Sequence, residues 1–139
     1  MGCDIHIVLE RRKRDSGEWI GQWCSDNLPD RWGRPKCARR DYGLFSRFGV
    51  RGPRDDGNAI YPRNIPEDVS RLAWSLYMLS PTDHHSASYC SLEEFIEAWR
   101  AENPNDAEVR KDWAHYDLFG VDLDWPENAE YRLVFWFDN

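Results

Sequence analysis

The stretch Asp4-Ile5-His6-Ile7-Val8-Leu9-Glu10-Arg11-Arg12 decides how this chain is read. Ionisable and apolar residues alternate along it, and successive side chains of a β-strand point to opposite faces. Cys3, Ile5, Ile7 and Leu9 are therefore expected to face a core. Asp4, His6, Val8 and Glu10 share the other side. A carboxylate and an imidazole two residues apart on a strand stand roughly 6 to 7 Å apart at the backbone, close enough to converge on one ion, water or substrate atom.

The chain's other end answers the first. Glu130-Tyr131-Arg132-Leu133-Val134-Phe135-Trp136-Phe137-Asp138-Asn139 is rich in aromatic and β-branched residues and reads as a strand. If it pairs antiparallel with the first strand, Tyr131, Leu133, Phe135 and Phe137 join Ile5, Ile7 and Leu9 in the core. Arg132, Trp136 and Asp138 then share the face of Asp4, His6 and Glu10, and Asp138 arrives beside the start of the first strand. The two ends of the sequence are expected to build one site.

Between them, Lys13 to Gly17 signals a turn, and Glu18 to Cys24 reads as the hairpin partner of the first strand. Ser25 to Ala38 has no apolar period and reads as a long basic loop, carrying Arg31, Arg34 and Lys36. Arg40 to Val50 predicts a short helix capped by Asp41 with Leu44, Phe45 and Phe48 on one face, and Arg51 to Asn64 a loop. Pro66-Glu67-Asp68 is expected to open a second helix with the stripe Val69, Leu72, Ala73 and Leu76. Ser80 to Cys90 reads as a polar connection holding His84 and His85. Ser91-Leu92-Glu93-Glu94 is a capping box starting a helix that runs to Asn103-Pro104. Residues 106–116 predict a fourth helix, and 118–127 mostly loop. The pattern is that of an α+β domain spanning 1–139, with three to four helices on one face of a small antiparallel sheet whose terminal strands are adjacent.

Composition narrows the classes. No apolar run reaches the roughly 18 residues of a membrane span, and acids and arginines begin too early for a signal peptide, so a cytoplasmic protein is expected. His6 stands where a myristoylation signal needs Ser or Thr. Cys3, Cys24, Cys37 and Cys90 contain no C-x-x-C pair and are expected to be reduced thiols; Cys24 and Cys37 alone make a poor zinc pair. The net charge of −7 conceals an asymmetry: residues 1–54 carry a net +5 and residues 55–139 a net −12. The basic third offers a place for an anion, or merely balances the acids. The whole molecule is too acidic for sequence-independent binding of nucleic acid.

Met1-Gly2-Cys3-Asp4-Ile5-His6, Arg40-Asp41-Tyr42 with Leu44-Phe45, Val50-Arg51, Pro66 to Ser70, His85-Ser86 leading into Ser91 to Glu94, and Leu133 to Asn139 together resemble a family of uncharacterised proteins of bacteriophages and their bacterial hosts. The chain differs from that pattern in having Asp41 where the family often has Asn, and in the long basic loop before it. The resemblance implies a phage or prophage setting and weight on these motifs. It supplies no activity.

Two function classes follow. In the first, a small hydrolase of a phosphorylated or nucleotide-like substrate uses Asp4, His6 and Glu10 as catalytic groups, with Asp4, His6, His85 and Asp138 holding a divalent metal. Such a mixed set of nitrogen and carboxylate ligands suits zinc, manganese or iron better than calcium. Arg40, Tyr42, Arg51 and Ser86 are the candidates for orienting substrate. In the second, a non-catalytic accessory protein engages a host protein or sequesters a small anionic ligand. The bland alternative for each residue is plain: His6 as a structural hydrogen-bond donor, His84 and His85 as exposed loop residues, the arginines as surface ion pairs.

Overall fold

A computed structural model describes residues 4–13, 17–25, 42–48, 62–104 and 129–138. Its elements in chain order are β1 (Asp4–Lys13), β2 (Ile20–Cys24), α1 (Tyr42–Ser46), α2 (Arg71–Tyr77), β3 (His84–Ser91), α3 (Leu92–Glu102) and β4 (Ala129–Asp138). Most of the basic loop, the segment from Arg51 to Tyr61, the expected fourth helix at 106–116 and the loop at 118–127 lie outside the described residues, as do Cys3 and Cys37.

The four strands form one antiparallel sheet in the order β2-β1-β4-β3. The terminal strands are its centre, paired without interruption from Asp4 opposite Asp138 to Lys13 opposite Ala129. Hydrophobic alternation sets this register, because a slip of one residue would turn Ile5, Ile7 and Leu9 away from the core. One face buries those three with Tyr131, Leu133, Phe135 and Phe137 beneath Leu44, Phe45 and Phe48 of the α1 segment and Leu92, Phe95 and Trp99 of α3. Phe45 meets Phe135 and Phe137 edge-on, and Phe48 lies nearly parallel to Phe95. These geometries suit aromatic quadrupoles.

The other face is covered too. Val8, Val134 and Trp136 are buried with Ala73 of α2, while Leu72, Leu76 and Tyr77 pack alongside. The helices are thus divided between the two faces, not gathered on one. Gly21 of β2 permits this approach: a Cβ there would stand 2.6 Å from Leu72. The apolar stripe of α2 was legible, but its expected start was early. Ser70, not the Pro66-Glu67-Asp68 run, is the N-cap, with its side chain accepting from the Ala73 N–H. The Ser91 capping box of α3 forms as expected, each partner satisfying the other's backbone N–H.

The polar segment before α3 departs from expectation, since it is strand β3 and not a loop. Between His85 and Ser88 its register against β4 shifts, so that one extra residue is accommodated. Ser86 in this bulge has φ of 55°, a conformation uncommon outside glycine. The irregularity destroys the simple alternation by which a strand is recognised. Among the described residues no helix is long and apolar enough to cross a membrane.

Candidate metal centre

Three strands converge at one end of the α2-covered face. His6 comes from β1, Asp138 from β4 and His84 from β3. Pairing opposes His6 to Trp136 and His84 to Asp138, so the two histidines flank the central strand. His6 Nε2 stands 2.7 Å from Asp138 Oδ2, a hydrogen bond that an ion held by both groups would replace, with loss of the shared proton. One ligand atom from each of His6, His84 and Asp138 lies within 4.8 Å of the other two, and all three side chains are half-buried.

The second nitrogen of His84 is committed. Its Nδ1 lies 2.8 Å from the backbone oxygen of Tyr77 at the end of α2, and a carbonyl only accepts. Nδ1 therefore carries the hydrogen, and in the neutral ring the lone pair is on Nε2. An imidazole oriented this way by a backbone carbonyl is a familiar support for metal ligation. Trp136 forms the floor. Its ring lies 5.8 Å from that of His6, within 13° of parallel, and 5.7 Å from that of His84. Trp136 is fully buried, and its indole N–H has no acceptor among the described residues.

Two nitrogens and a carboxylate suit a transition metal.

The geometry distinguishes the residues that the sequence nominated. His6 and Asp138 meet. Asp4 occupies the register position opposite Asp138, with its side chain outside the described set. His85 does not reach the cluster: it opposes Phe137 on the other face, its ring 6.0 Å from that phenyl. His84, its neighbour, takes the place expected of His85. Ser86 bonds His85, with 3.0 Å between Oγ and Nδ1. Arg40 and Arg51 and the side chain of Tyr42 lie outside the described residues.

Glu10 shares the face of His6 but stands four strand residues away, roughly 13 Å along the strand. It is fully buried, 2.5 Å from Arg132 Nε and 2.6 Å from the Ser70 backbone N–H that donates to it. Arg132 continues the network to Asp68 Oδ1 and lies over the ring of Trp19. These contacts satisfy Glu10 within the fold, where removing one member of a buried pair typically costs about 3 to 5 kcal/mol. Glu10 belongs to a structural clasp and not to the His6–His84–Asp138 cluster.

The sequence reading named His85 in the metal set, whereas the cluster has His84 in that place. Counting alternately back from core-facing Cys90, opposite Leu133, puts His84 on the core side. The extra residue of the bulge reverses that parity. Its only trace in the sequence is the polar Ser86-Ala87-Ser88 break. No family model, curated protein or solved structure matches the chain.

Proposed function

We propose that the protein is a metal-dependent hydrolase of a phosphorylated or nucleotide-like substrate, with His6, His84 and Asp138 as its metal ligands. The observation that supports this reading is the convergence of those three groups from three adjacent strands. Three protein ligands leave coordination positions for water and substrate, the arrangement of catalytic rather than structural sites. A zinc, manganese or iron ion supplies Lewis acidity and an acidified water at neutral pH.

The protein's own groups do the rest. Asp138 compensates part of the ion's charge, the Tyr77 carbonyl keeps His84 in the tautomer that presents Nε2, and Trp136 limits the freedom of both imidazoles. The choice of an anionic substrate rests on the basic third of the sequence, where Arg40 and Arg51 are the orienting candidates. A cytoplasmic, phage or prophage setting belongs to the same proposal.

The test is hydrolysis of p-nitrophenyl phosphate with added zinc or manganese. Metal-stimulated turnover that falls by several powers of ten in Asp138→Asn is the expected result. Metal binding without turnover, across a panel of phosphomonoesters and nucleotides, would favour a binding protein that sequesters an anion or engages a host partner.

A further inference from the structure

Resting on the metal centre proposed above, we infer that α2 is its positioning strut, so that docking of this helix and binding of the ion are thermodynamically linked. The helix is fastened at both ends. At its start, buried Glu10 accepts the Ser70 N–H while Arg132, paired to Glu10, bonds the side chain and backbone oxygen of Asp68. At its finish, the Tyr77 carbonyl accepts from His84 Nδ1, and the Tyr77 ring stands edge-on to Trp136 at 5.5 Å.

Lengths agree with this arrangement. Seven helical residues span about 10 Å, comparable to the roughly 13 Å that separates Glu10 from His6 along β1. The strut therefore runs from the clasp to the centre. Lifting it removes the acceptor that fixes the His84 tautomer and uncovers Trp136 beneath both imidazoles. An ion held by His84 in that tautomer opposes the lifting. By reciprocity, whatever loosens α2 weakens the ion's hold.

The clasp thus acquires a role besides stability. Glu10, Arg132 and Asp68 act on the centre through the helix, as positioning residues that touch no ligand.

Ser70→Ala deletes the helix cap while leaving the backbone N–H that Glu10 accepts. Its α2 amides, residues 74–78, should exchange hydrogen faster than those of α3, which marks local opening. Zinc at 100 times its measured Kd should slow that exchange about 100-fold if opening and binding exclude one another. In the unmodified protein the same dependence should hold for any α2 amide that exchanges faster than those of α3. Unchanged α2 exchange, with calorimetric titration showing zinc bound, would overturn the linkage but leave the centre intact. Failure of the unmodified protein to bind zinc in that titration would overturn the centre, and the linkage with it.

Discussion

His6 and Ile7 are adjacent on one strand and face opposite environments. Ile7 is almost wholly buried against the phenylalanine layer, whereas His6 is half-buried over Trp136 and bonded to Asp138. Truncating Ile7 to Ala leaves a cavity and should cost about 2 to 5 kcal/mol. His6→Ala should cost only about 1 to 2 kcal/mol while abolishing metal-dependent activity. Thermal melts and turnover measured on both variants check the pair: a His6→Ala protein that melts as early as Ile7→Ala would make the imidazole a packing element. Cys90 shows the opposite extreme of chemical commitment. Burial pushes its thiol well above the ordinary range, in keeping with a reduced, inert core residue.

At the scale of elements, α3 carries a charge test of its own. Hydrogen bonds from Arg63 hold the Glu94 carboxyl below the usual glutamate range, while the same side chain closes the capping box on Ser91. A carboxyl whose folded value is lowered stabilises the fold above the ordinary glutamate range, and that contribution disappears as pH falls through the lowered value. Glu94→Gln keeps an acceptor for the Ser91 N–H but loses the charge. Because the pair is about a third exposed, the variant should lose only about 0.5 to 1 kcal/mol at pH 7. Melting curves of the two proteins should converge as pH falls through that lowered value; a gap that persists once the carboxyl is protonated would locate the effect in the cap and not in the ion pair. This capping box was legible because its Ser and Glu are three residues apart. Strand β3 was not, because His84 to Ser91 offers few apolar residues and a bulge that resets parity in the middle.

For the whole molecule, alternation in the two terminal strands was enough to join the ends of the chain. Asp138 reaches His6 because Ile5, Ile7 and Leu9 must share a core with Leu133, Phe135 and Phe137. The division of helices between two faces was harder to foresee. The Val8, Val134 and Trp136 surface that receives α2 is interleaved with His6, Glu10 and Arg132, and reads as a half-polar face until Ser70 and Asp68 are seen to satisfy the charged members. The candidate centre depends on that second layer, since α2 supplies the carbonyl that orients His84. The most direct test compares two neighbouring histidines by calorimetric titration with zinc, the fold of each variant being checked by its melting curve. One ion per chain should bind the unmodified protein and His85→Ala, and binding should be lost in His84→Ala. Equal affinity in both variants, or loss only in His85→Ala, would contradict a centre built from His6, His84 and Asp138.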